Sequence, residues 1–169
     1  MAAQITLARA LKLKNRLNGR FAAVTTEIAA YNSQAVHVAA APVAGEVPPK
    51  TEVDVAALFE KRAKLRAAIV ALKLAINTAN GPIIRDIYEI AEAKGDITFY
   101  ASLQTNNGFN PSHYAAGGGV RYVAFKTKAD VDAEKTRLEG VVDSIQEKID
   151  KHNYKTHIEV DDETIALAS

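Results

Sequence analysis

DVAALFEKRAKLRAAIVALKLAINTAN, residues 54–80, decides the fold. Val55, Leu58, Leu65, Ile69, Leu72, Ile76 and Ala79 recur at three- and four-residue intervals, which places them on one face of an α-helix. Arg62 falls on that seam. Glu52, Asp54 and Glu60 sit at the positive end of the helix dipole. Asn80-Gly81-Pro82 stops the segment: glycine suits a left-handed cap, and proline cannot continue the hydrogen-bond ladder. A helix this long, aliphatic on one face and charged on the other, needs partner helices. The segment predicts a bundle or an antiparallel coiled coil.

Working outward, three more segments keep the helical period. Leu7, Ala10, Leu17, Phe21, Val24, Ile28 and Tyr31 define a helix over 6–31, with Thr6 as N-cap, Lys14 as its one charged interruption and Asn32-Ser33 as its end. A helix over 86–104 places Ile87, Ile90, Ala91, Ile97 and Ala101 together, with a break at Gly95 as the alternative. A fourth over 128–152 turns Val131, Leu138, Val141, Val142, Ile145 and Ile149 inward, with Asp130 and Asp132 in its first turn. Short strands are expected at 35–38, at 120–125 after a Gly-rich turn, and at 156–160, where Ile158 and Val160 share a face. The last two strands pair with each other or with 35–38. The fold class is mainly α with a small β-sheet, in a single domain over 1–169.

Composition narrows the function. Lys and Arg number 21 and Asp and Glu 20, so the overall charge lacks the footprint of a nucleic-acid binder. With no Cys, thiolate catalysis, disulfides and Cys-based metal sites are excluded. No apolar signal-peptide core opens the chain, and Ala67–Leu72 is too short to span a bilayer, so a cytoplasmic location is expected, or a virion if the chain is phage-encoded.

The order of elements and several local strings resemble the septicolysin-like family of small bacterial proteins. The strings are Ile5-Thr6-Leu7-Ala8-Arg9-Ala10-Leu11 at the start, Ala75-Ile76-Asn77-Thr78-Ala79-Asn80 at a helix end and Val120-Arg121-Tyr122-Val123 before Ala129-Asp130-Val131. Ile149-Asp150-Lys151-His152-Asn153-Tyr154-Lys155-Thr156 is the fourth. The chain departs from that pattern in the Ala- and Pro-rich connector 34–50 and in Gly108–Gly119, where the family pattern has a more charged loop. The resemblance implies a helical, self-associating protein, with a hexamer among the implied states. The family's named member is a thiol-sensitive haemolysin, and that sensitivity cannot carry over to a chain without Cys.

No constellation reads as catalytic, and no cofactor is expected. His37, His113, His152 and His157 lack the i, i+4 spacing of helical zinc sites, so no metal is expected either. Gly117-Gly118-Gly119 has no following Lys-Ser or Lys-Thr and is not a phosphate loop. Asp161-Asp162-Glu163 reads as a solubilising tail. Three sets of residues remain as candidate surfaces. Phe59, Val70, Leu74, Val142 and Ile149 exceed what one seam buries and form a candidate oligomer interface. Asn106, Asn107, Phe109 and Tyr114 belong to a long loop, 105–119, that is a candidate partner contact. Arg9, Lys12, Arg16 and Arg20 are candidate contacts to an anionic surface. The leading expectation is a non-enzymatic, self-assembling structural protein, a component of a larger particle such as a phage virion, with itself and other structural proteins as partners. The alternative is a septicolysin-like membrane-active protein. An enzyme with a site between subunits is the third reading.

Overall fold

A computed structural model describes residues 2–33, 53–111 and 119–169. The connector 34–50, the 35–38 strand, His37, His113 and Tyr114 lie outside the described residues. The chain is mainly helical, with small two-stranded antiparallel sheets. It falls into two compact units, Met1–Asn80 with Tyr154–Ser169, and Gly81–Asn153.

The first unit begins with strand β1 (Ala2–Thr6) and helix α1 (Leu7–Tyr31). Thr6 ends the strand and caps the helix, its hydroxyl accepting from the Arg9 amide at 3.3 Å. Helix α2 (Val55–Ala79) is capped by Asp54, which accepts from the Ala57 amide at 3.0 Å. The two helices pack along heptad seams. On α1, Leu7, Lys14, Phe21 and Ile28 alternate with Ala10, Leu17 and Val24; on α2, Val55, Arg62, Ile69 and Ile76 alternate with Leu58, Leu65, Leu72 and Ala79. Calling these two rows a and d, Leu7, Leu17, Leu65 and Leu72 are the fully buried anchors. Each such side chain contributes about 1.5–3 kcal/mol.

One polar layer interrupts the seam. The Arg62 guanidinium lies 4.5 Å from the centre of the Phe21 ring, and its Nε donates to Thr25 Oγ1 at 3.0 Å. This sets the start of α2 beside the second half of α1, so the helices run antiparallel.

Two elements expected differently from sequence complete this unit. The opening residues form a strand, not simply a helix start. β1 pairs antiparallel with β4 (His157–Asp161), from Ala2 opposite Asp161 to Thr6 opposite His157. The pairing puts Ile5, Ile158 and Val160 on the core side, as the alternation at 156–160 predicts. The 156–160 strand thus pairs with β1 and not with the 120–125 strand. The acidic stretch read as a tail opens helix α5 (Asp162–Ala168), which buries Thr164 and Ala168, one turn apart. Asp162 and Glu163 occupy its first turn, where the helix dipole favours acids.

α2 ends without a left-handed glycine. Asn80 caps it at φ −79°, and Gly81–Ile83 forms a 3-10 turn. Among the described glycines only Gly108 has positive φ.

The second unit contains that turn, α3 (Ile84–Ser102), strands β2 (Gly108–Pro111) and β3 (Gly119–Tyr122), and most of α4 (Lys128–Lys155). α3 starts and ends two residues earlier than expected and continues through Gly95 without a break. Its inward row is Ile90 and Ala93, with Ile83, Ile97 and Tyr100 half-buried. Ala91 and Ala101, expected inside, are exposed. α4 runs three residues beyond its expected end and buries Val131, Leu138 and Ile145, seven residues apart. Val141, Val142 and Ile149 are half-buried beside that row.

α4 opens with a reciprocal cap. The Thr127 amide donates to Asp130 Oδ2 at 2.8 Å, and the Asp130 amide donates to Thr127 Oγ1 at 3.2 Å. β2 and β3 form a hairpin ribbon, Phe109 opposite Arg121 and Gly108 opposite Tyr122. The strand expected over 120–125 ends at Tyr122, because Val123 and Phe125 have no partner strand among the described residues and stand in solvent.

Candidate interaction surfaces

Three surfaces carry the candidate residues. The first is on the outer side of α2. Counting the heptad from the seam, Phe59 is at e, Val70 at b and Leu74 at f, adjacent positions around the helix. They are 50%, 53% and 64% exposed, with Ala56 and Ala63 between them on the same face. Together they make an apolar stripe that the described residues of the helix's own unit leave uncovered. Val142 and Ile149 differ from them. Both are half-buried on α4 in the second unit, so most of their surface is already taken up there.

The second surface is the β2–β3 ribbon and the residues after it. Phe109, Val120, Tyr122, Val123 and Phe125 are all exposed, Phe125 completely. Asn106 and Asn107 are exposed at the base of the ribbon. Val120, Val123 and Phe125 were not singled out as surface residues from sequence. Their β-branched and aromatic character pointed to a strand, and only the pairing pattern shows that the strand has no covering layer among the described residues.

The third surface is basic. Arg9, Lys12, Arg16 and Arg20 are exposed on α1. Arg9, Lys12 and Arg16 line a groove floored by Leu13 and closed by Ile165 and Ala168 of α5 and by Ser169 after it. On the other flank of α5, Lys64 lines a groove with Ala67, Ala71, Asp161, Glu163 and Thr164. Among the described residues the ion pairs are Arg85–Glu89, Lys128–Asp132 and Arg137–Glu134, all in the second unit.

The shifted ionisations are local to α4. The Thr127 side chain, then the Thr127 amide, hold the Asp130 carboxyl below its ordinary value. The Arg137 guanidinium, 2.6 Å from Glu134 one turn away, lowers the glutamate and is itself raised by it. Both pairs are local to one helix: Thr127 and Asp130 form its cap, and Glu134 and Arg137 are an i, i+3 pair along it. Among the described residues no three His, Asp or Glu side chains converge as metal ligands. His157 Nδ1 lies 3.1 Å from the Lys155 carbonyl, and His152 is half-buried on α4. No single described helix is long and apolar enough to cross a membrane.

Comparison with protein-family models, curated proteins and solved structures finds no match to this chain.

Proposed function

We propose that this chain is a non-enzymatic structural protein that works by assembling with copies of itself, as a component of a larger particle such as a phage virion. The observation that carries the reading is the uncovered stripe of Phe59, Val70 and Leu74 on α2. Large apolar side chains gain about 1.5–3 kcal/mol each when fully buried, and contiguous apolar patches mark interaction sites. A symmetric assembly of identical chains covers such a stripe with itself or with another apolar patch. The exposed aromatic ribbon around Phe109, Tyr122 and Phe125 supplies a second contact of the same kind. The septicolysin-like resemblance, which implies self-association, points the same way. The membrane-active alternative is weaker, because Leu7, Leu17 and Val24, the apolar residues α1 would insert, are buried in the seam with α2.

The test is mass. Light scattering on size-exclusion eluates should give a multimer at micromolar concentration. Val70→Asp with Leu74→Asp should lower that mass while circular dichroism keeps its helical signal. A wild-type monomer, or a double variant that keeps its full mass, would overturn the reading.

A further inference from the structure

Near-neutrality of the whole chain conceals a strong separation of charge. α1 carries five basic residues and one acid, Glu27; α2 carries five basic residues and one acid, Glu60. The α1–α2 hairpin therefore holds a net eight positive charges, balanced by acids elsewhere in the sequence.

Six of these cations share one side. On α1, Lys12 is at heptad position f, Arg9 and Arg16 at c and Arg20 at g, three adjacent rows. On α2, Lys64 is at c and Lys61 at g. Both sets flank α5, Arg9, Lys12 and Arg16 along one edge and Lys64 along the other. The Arg62 contacts to Phe21 and Thr25 bring the Lys61–Lys64 turn alongside Arg20. All six are exposed, and no described residue forms an ion pair with any of them. The acids nearest along the same elements are Glu60 beside Lys61 on α2, Glu27 on α1, and Asp161, Asp162 and Glu163 around the start of α5, of which Asp161 and Glu163 line the groove with Lys64.

We infer that this face binds the phosphate backbone of nucleic acid without reading its sequence. The cations span Arg9 to Arg20, about 16 Å of helix. Over that length a DNA duplex offers roughly nine phosphates. Arg9, Arg16 and Arg20 supply the forked donors suited to phosphate oxygens. Between the cations, Gly19 and Ala23 on α1 and Ala57 and Ala71 on α2 are small, and Ile165 and Leu167 of α5 are half-buried, so among the described residues no large apolar side chain stands exposed there. A lipid surface would be met by apolar side chains that insert, and a protein interface by aromatic anchors. This face has neither, while a backbone-following contact requires only charge and close approach.

The measurement is fluorescence anisotropy of a labelled DNA duplex of about 20 base pairs, titrated with the full chain across a salt series. Six phosphate contacts give a slope of log affinity against log salt near about −5, or roughly a thousand-fold loss from 50 to 200 mM. Arg16→Ala with Arg20→Ala should make the slope shallower by about two. Arg66→Ala with Lys73→Ala removes the same charge from position e, on the other side of α2, and should leave the slope unchanged. Phosphatidylserine vesicles are the competing probe. The inference is overturned by no duplex binding at low salt, by equal effects of the two double variants, or by vesicle binding without duplex binding. Oligomeric mass does not enter these readouts, so this inference and the assembly proposal fail separately.

Discussion

Arg62 is the one charged side chain of α2 on an otherwise aliphatic seam, and its replacement tests how the hairpin is specified. Arg62→Ala removes the stack on Phe21 and the hydrogen bond to Thr25. The stack contributes about 1 kcal/mol in a half-exposed setting and a bond from a charged donor about 1.5 kcal/mol. A loss of roughly 2 kcal/mol is expected, or about 4–8 °C in Tm for a chain of this length. Arg62→Leu should behave differently. An apolar residue completes the seam, so stability should hold or rise, while the polar layer that fixes the helix register is lost. Urea unfolding followed by circular dichroism, at fixed protein concentration, measures both. A double-mutant cycle of Arg62→Ala with Phe21→Leu isolates the stack. A coupling below about 0.3 kcal/mol would refute the reasoning, because contacting residues should not behave additively.

Gly95 is exposed in the middle of α3, and a Cβ built on it meets nothing within 4 Å. Gly95→Ala should therefore stabilise the second unit by about 0.5–1 kcal/mol in calorimetry. Any destabilisation would count against the open surroundings of Gly95. The Asp130 carboxyl should titrate below its ordinary value in an NMR pH series. Its folded-state value is depressed, so its contribution is present above the unfolded carboxyl value of about 3.9 and is lost as pH falls through the folded value. Thr127→Ala should return the midpoint toward the ordinary range and cost the helix end about 1 kcal/mol, and an unmoved midpoint would count against the cap.

The long helices were legible because burial and helical period act locally. Leu58, Leu65, Leu72 and Leu17 repeat within a few turns, and the structure buries or half-buries each of them. β1 was not legible. Ala2-Ala3-Gln4-Ile5-Thr6 buries only Ile5, and its strand character comes from residues 157–161 at the far end of the sequence. α5 left a usable signal, since acids before Thr164-Ile165-Ala166-Leu167 fit a helix start, but its burial depends on α1 and α2 together. Gly95 left a break as the alternative to a continuous helix: its intrinsic cost is about 1 kcal/mol, and packing of Ile90, Ala93 and Ile97 on either side outweighs it, so α3 continues. For the candidate surfaces, composition supplied the residues and only the heptad register supplied their sides. Arg9, Lys12, Arg16 and Arg20 stood out as a run, whereas Lys61 and Lys64 join them only once α2 folds back.

The pairing of β1 with β4 has a consequence for the order in which the molecule is made. Thr6 and His157 are opposite one another in the sheet, so the entire Gly81–Asn153 unit is synthesised between the two halves of the other. At about 5–20 residues per second, roughly 8–30 s separate the emergence of the two strands from a ribosome. The α1–α2 hairpin closes from neighbouring segments and need not wait. During that interval β1 offers an open strand edge, and Ile5 lacks the Ile158 that sits across from it in the finished sheet. Nascent chains on one message stand at staggered lengths with the same edge open.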